Sequence, residues 1–261
     1  MLKLAAPISH LFKEGKYAEQ IIMLSDCLEC REWCIQTQLP KQELIHFDVN
    51  IIHNWNNEIK QYINNSILSK PELELVTFHM AACCDMPLVR NGMYQPGGRQ
   101  YSRKELLENA AMNIKWLRSF LPQGIEIGVE NTNYFPTPAY CYITESDFIT
   151  DVVTKNNIHL LLDIAHGKIT AYNKKIDYRD YLATLPINNM IQLHISGHGI
   201  DSNNIAYDAH DLPDESIYRE VQSMIEMFPV KYLTVEFYKD HDGIIRELER
   251  YNRLKDYFNA S

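Results

Sequence analysis

LELVTFHMA (residues 73–81), YSRKELLENAAMNIKWLRSFL (101–121) and IEIGVEN (125–131) follow one another as a short apolar run, a long amphipathic stretch and a second short run. The two short runs are rich in Leu, Ile and Val and nearly continuous, as strands covered on both faces are. The middle stretch sets Leu106, Leu107, Ala110, Ile114, Leu117 and Leu121 on one side at helical spacing, with Ser102 as N-cap and Glu105 three residues on. The same unit recurs in both directions. LIHFDVN (44–50) lies before it, and IHLLLDIAH (158–166), MIQLHISG (190–197) and YLTVEF (232–237) lie after it. ESIYREVQSMIEMF (215–228) and GIIRELERYNRLKDYF (243–258) read as helices. Residues 3–8 can open the series, and one further strand is required within 20–38. This alternation through one unbroken chain predicts an α/β fold, a TIM (β/α)8 barrel filling residues 1–261 as a single domain. A doubly wound sheet is the rival, but no G-x-G-x-x-G follows a strand, so its dinucleotide version has no support.

The composition agrees. At 261 residues the chain has the length of one α/β barrel, and 46% hydrophobic with 23% charged residues excludes disorder. No apolar run reaches the ~20 residues that span a bilayer, and the N-terminus lacks the sustained apolar core of a secretory signal. A cytoplasmic protein without a membrane partner is expected. The net charge of −9 offers no support for a nucleic-acid partner. Cys27, Cys30 and Cys34 are spaced i, i+3, i+7, which on a helix is one face. That face is either buried or part of an iron–sulfur or zinc site, although no second Cys or His pair lies nearby.

ACCDMPLVRNGMYQPGGRQYS (82–102) is the longest irregular stretch. It reads as a lid or substrate-contacting loop in which Arg90, Tyr94 and Arg99 touch the substrate and Gly97-Gly98 lets the loop bend, or else as a plain surface excursion.

The chemistry lies where the strands end. His46, His79, Glu130, Asp163, His166, His194 and Glu236 stand in or just after predicted strands, and Asp208 with His210 follows in the loop AYDAHD. Parallel barrel strands deliver their C-terminal ends to one mouth. Carboxylates gathered there repel by about 3 kcal/mol per pair at ~5 Å and an effective dielectric of ~20. They must protonate or collect cations, and the imidazoles among them favour cations. A mixed carboxylate–imidazole set suits Zn, Fe or Mn, and nine ligands suit two or three ions. His53 competes with His46 for one position. His10, His159 and His241 read as surface or core residues, and His198 as a supporting, catalytic or ordinary loop residue.

Two families share this arrangement. The order His, His, Glu, Asp-x-x-His, His, Asp-x-His, Glu is similar to that of endonuclease IV, a trinuclear zinc barrel, although the D-R-H-x-x-I-G pattern expected there is missing. The local text more closely resembles the multinuclear non-heme iron-dependent oxidase family that includes the iron enzyme of methanobactin biosynthesis, within the wider xylose isomerase-like group. The residues carrying this resemblance are VENTNY, LLDIAHGKITAYN, QLHISGH, DAHDLPDESIY (through Asp208, His210, Pro213 and Tyr218) and VEFYKD, where the family has E-W-D. It runs from about residue 44 to 250, and Phe237-Tyr238 departs from the family's W-D. The resemblance implies two or three irons (Fe2+/Fe3+) used with O2 to modify cysteine residues of a ribosomally made precursor peptide. It makes Glu130 and Asp163 the best candidates for bridging ligands, gives His198 and Asn131 supporting or catalytic roles, and implies a small partner protein that presents the leader peptide. The alternatives are a zinc or manganese hydrolase or isomerase of the endonuclease IV and xylose isomerase type, and a metal-bearing barrel that serves only as a binding module.

Overall fold

The structure, a computed structural model, describes residues 1–90 and 92–259, apart from the side chains of Trp33 and Asn259. Its strands are β1 (Lys3–Pro7), β2 (Cys27–Arg31), β3 (Gln42–Asn50), β4 (Leu75–His79), β5 (Leu88–Arg90), β6 (Met93–Gln95), β7 (Glu126–Glu130), β8 (His159–Asp163), β9 (Met190–Ile195), β10 (Gly197–Ile200), β11 (Ala206–Asp211) and β12 (Tyr232–Val235). Its helices are α1 (Gly15–Leu24), α2 (Asn57–Leu68), α3 (Arg103–Arg118), α4 (Ser146–Asn156), α5 (Ile164–Lys174), α6 (Tyr178–Thr184), α7 (Glu215–Met227) and α8 (His241–Asn259). Eight strands close into a parallel barrel in the order β1-β12-β9-β8-β7-β4-β3-β2. The fold is the expected TIM barrel.

The two-residue period of the strands sorts their side chains. One set, including Ile45, Phe47, Val76, Phe78, Leu160, Leu162, Leu193 and Leu233, packs into the large core beneath the helices. The other set builds a small separate cluster of Ala5, Cys27, Leu44, Leu75, Ile191 and Tyr232. Two residues further along the same strands come Glu29, His46, Thr77 and Thr234, and two further again Arg31, His79 and Glu236. The barrel interior therefore changes from apolar to ionisable toward its C-terminal mouth. At the opposite end Glu74 accepts hydrogen bonds from Lys3, Lys231 and Tyr232 at 2.5–2.9 Å, tying three strand starts together.

Several expectations need correction. Cys27–Arg31 is the strand missing from 20–38, and Glu32–Cys34 is a short 3-10 turn, so Cys27, Cys30 and Cys34 share no helical face. Cys27 packs in the small inner cluster, whereas Cys30 and Cys34 belong to the outer core. Residues 82–102 are not wholly irregular: β5 and β6 form an antiparallel hairpin within them, and Cys84 bridges Gln100 at its base. Added Cβ atoms at Gly97 and Gly98 would strike the Met86 carbonyl and the Asp85 carboxylate, so these glycines permit close packing of the flap on itself. Asp208 and His210 lie on β11, paired with β10, where a loop was expected. His166 lies in the first turn of α5, beyond the end of its strand.

Candidate metal centre at the barrel mouth

Glu130, the last residue of β7, is almost fully buried and faces two ways. Its Oε2 lies 3.4 Å from His46 Nε2 and 3.1 Å from His79 Nε2, and those two nitrogens face each other at 2.6 Å. Its Oε1 lies 3.3 Å from His194 Nδ1, on the side of Asp163 and His166. His166 Nε2 is 4.0 Å from Asp163 Oδ2 and 3.5 Å from Asp208 Oδ2. His210 Nε2 lies 3.1 Å from Asp208 and 3.6 Å from Glu236. All nine ligand-type residues converge on one mouth, and His210 is held there in a left-handed backbone conformation (φ 44°).

The outer nitrogens of three rings are fixed by acceptors. His46 Nδ1 donates to Thr77 Oγ1 at 2.7 Å, His166 Nδ1 to the Asn131 carbonyl at 2.9 Å, and His194 Nε2 to Glu29 at 2.9 Å. Each bond sets the tautomer and turns the other nitrogen's lone pair inward, as a metal-ligating imidazole requires. Asn131 also brackets the Asp163 backbone, accepting from its N–H at 2.8 Å and donating to its carbonyl at 3.0 Å. Asp163 caps α5 by accepting from the His166 N–H at 2.6 Å through Oδ1. Its Oδ2 and His194 Nδ1 are buried without a hydrogen-bond partner.

Charge is unbalanced here. Glu29, Glu130, Asp163, Asp208 and Glu236 bring five carboxylates into a space that Arg31 enters with one guanidinium. Burial, only partly offset by His166, pushes Asp163 up to about 6. His194 is raised to about 9, because Glu29 and Glu130 outweigh the effect of burial, and His166 is raised well above its ordinary value by Asp163 and Glu130 against burial. His46, buried and near Arg31, falls to about 3 and stays neutral. Protons thus stand where cations would bind. Two inward orphan atoms, oriented imidazoles and excess carboxylate charge fit a carboxylate–imidazole centre for Fe, Zn or Mn.

Sequence reasoning missed Glu29, Arg31, Thr77 and Tyr238. Glu29 and Arg31 sit two apart on β2, an alternation that could have marked an inward face. His53, by contrast, leaves the centre and bonds the Ala82 carbonyl at 2.8 Å. His198 stands on β10 opposite Asp208 and, among the described residues, is not part of either cavity lining. The mouth carries a cavity of about 920 Å³ beside Phe12, Lys13, Arg31 and Tyr238, and one of about 550 Å³ beside Tyr94, Tyr140 and Tyr207. His79, Glu130, His166 and Asp208 line both, so the centre is the floor of a two-lobed groove. Tyr94 walls the smaller lobe, Arg90 is exposed on the flap, and Arg99 is bound to Glu105 and stacked over Tyr101.

Residues 47–253 match the family model described as RiPP precursor modification enzyme MbnB/TglH/ChrH. A UPF0276 protein of Alcanivorax borkumensis is 26% identical over 149 residues, 56% of this chain and 48% of that one. A UPF0276 protein of Caulobacter vibrioides is 31% identical over 85 residues, 33% of this chain and 30% of that one. The aligned parts span no more than about half the length of these curated relatives. Among solved structures, D-psicose 3-epimerase from Clostridium cellulolyticum H10 superposes with a TM-score of 0.62 at 12% identity, covering 98% of this chain and 99% of that one. A 3-keto-D-glucoside 4-epimerase from E. coli gives 0.61 at 12% identity, with 98% and 100% covered. At that identity the likeness is one of fold. No helix among the described residues is long and apolar enough to cross a membrane.

Proposed function

The chain belongs to the RiPP precursor modification enzyme family MbnB/TglH/ChrH, and from that premise we propose that it is a multinuclear iron-dependent, O2-using oxidase that modifies cysteine residues of a ribosomally synthesised precursor peptide. The observation that carries this reading is Glu130 on the floor of the groove, with one oxygen toward His46 and His79 and the other toward His194. A carboxylate so placed could hold an ion on each side. His46, His79, Asp163, His166, His194, Asp208, His210 and Glu236 complete the proposed ligand set. Bound iron would supply the one-electron exchange with O2 that no side chain here can provide, and zinc, having one valence, could not.

The chain's own part is to orient and enclose. Thr77, Asn131 and Glu29 hold the rings, and the large outer core holds the strands that carry them. The two lobes let a peptide lie across the mouth with its reacting thiol over the floor, and Tyr94 contacts it from the flap side. A small partner protein that presents the leader, and a cytoplasmic setting where thiols stay reduced, belong to the same proposal.

The test is anaerobic loading of the protein with Fe2+, mixing with a cysteine-bearing precursor peptide, and mass analysis of the peptide in air and under argon. Loss of the free thiol in air alone, silenced by zinc, is the expected result. Equal conversion in air and argon, or activity restored by zinc or manganese, would discard the oxidase for the hydrolase or isomerase alternative.

A further inference from the structure

Both hairpins at the mouth send an aromatic ring into the wall of the smaller lobe. β6 brings Met93 and Tyr94, β11 brings Tyr207, and Phe135, Tyr140 and Ile205 complete the apolar lining. Among the described residues no Lys or Arg lines this lobe, whereas Lys13 and Arg31 line the larger one. We propose that the smaller lobe is a specificity pocket for a bulky aromatic side chain on a residue flanking the reacting cysteine, and that Tyr94 and Tyr207 select it. The inference rests on the precursor-peptide reading of the groove given above.

The mounting of the two rings carries it. The Tyr94 N–H donates to Tyr140 Oη at 3.2 Å, and its carbonyl accepts from Thr137 Oγ1 at 2.6 Å. Side chains outside the flap thus fix Tyr94 by both of its main-chain groups, and the ring centroids of Tyr94 and Phe135 lie 6.0 and 5.6 Å from that of Tyr140. Tyr207 pairs across its hairpin with Gly199, where an added Cβ would come within 2.7 Å of the tyrosine ring. Glycine there lets the ring lie against its own hairpin. Even so, Tyr207 is 43% exposed. Rings already held in place lose little freedom when a ligand packs on them, and ring-on-ring contacts add to simple burial. Charge narrows the occupant further. Glu130, Asp208 and Asp201 line the lobe, so an acidic side chain is repelled. A Lys or Arg finds no carboxylate turned toward it by Asp201, whose Oδ1 accepts from the N–H groups of Asn203 and Ile205 at 2.8 and 2.9 Å and whose Oδ2 accepts from Asn203 Nδ2 at 3.2 Å. A cation would surrender water there without an open partner. The lobe, about 550 Å³, has room for an aromatic side chain together with the backbone that carries it.

Calorimetric titration of the Fe2+-loaded protein under argon tests this without any turnover. The probes are two peptide series, Gly-Ser-X-Cys-Gly-Ser and Gly-Ser-Cys-X-Gly-Ser, with X as Tyr, Phe, Leu, Ala, Lys or Glu. In one of the two series Tyr and Phe should bind roughly tenfold more tightly than Ala, and Glu most weakly. Tyr207→Ala should bring the Tyr and Phe peptides to the level of Ala, and Tyr207→Phe, which keeps the ring, should retain the preference. Equal binding throughout both series, tighter binding of Leu or Lys than of Tyr, or a preference that survives Tyr207→Ala would overturn the proposal. Should the Ala variant fail to fold, the two series on the native protein decide alone. Aromatic preference without thiol loss in air would keep the pocket and remove the oxidase. Thiol loss in air without that preference would keep the oxidase and remove the pocket.

Discussion

Three imidazoles face the centre with the outward nitrogen already bonded, to Thr77, to the Asn131 carbonyl and to Glu29. The nine ligand-type residues were legible in the sequence because an ionisable side chain at the end of an apolar strand has few structural reasons to be there. Of their supporters Asn131 was legible there too, but the rest were not: Thr77 and Gln192 are ordinary strand residues by composition, and Glu29 and Arg31 cancel each other only after β2, β9 and β12 have closed around them. His194 shows what that pairing does. In the metal-free protein it titrates near 9, against about 6.5 for an unfolded histidine, because Glu29 favours its charged form. A raised value means that its contribution to stability is fully present below pH ~6.5 and disappears as the pH rises through about 9. Chelator-treated protein should therefore lose on the order of 3 kcal/mol between pH 6.5 and 9.5, and the iron-loaded protein much less, because the ions replace the protons. Denaturant melts across that range measure it, and a flat metal-free profile would contradict it.

Among the elements, the long helices and buried strands were readable from period alone, and the capping box of Ser102 and Glu105 starts α3 as its sequence predicted. The hairpins were hidden. Leu88–Arg90 and Met93–Gln95 are three-residue strands with no apolar alternation, exposed or half-buried, so nothing in their pattern opposes a loop. What holds the flap is the packing of its base, where the Asp85 carboxylate accepts from the Arg99 N–H at 2.7 Å and Gly98 adopts φ +62° beside it. Gly98→Ala puts a methyl into that carboxylate and into a strained backbone, at a cost of roughly 1–3 kcal/mol confined to the flap. Hydrogen exchange should accelerate severalfold over residues 85–99, with the amount of metal taken up at the mouth unchanged. Loss of metal uptake in this variant would show that the flap supports the centre.

For the whole molecule, the division of side chains between the two faces of the barrel wall separates stability from chemistry. Leu75 is fully buried in the inner cluster, four residues along β4 from His79. Leu75→Ala should cost about 2–5 kcal/mol of folding free energy while metal content stays at the native value, since the layer of Thr77 and His46 lies between. Denaturant melts and metal analysis on the same sample check both halves of the statement. The two hairpins that rim the mouth differ in a way that follows from the same division. The β10–β11 hairpin carries Asp208 and His210, whereas the β5–β6 flap, among the described residues, contributes walls and none of the nine ligand-type residues. The flap is therefore the interchangeable part: under the proposed function, a chimaera bearing a foreign arm grafted between Cys84 and Gln100 would keep the reaction and acquire a new clientele of peptides, while the same graft across β10–β11 would forfeit the reaction itself.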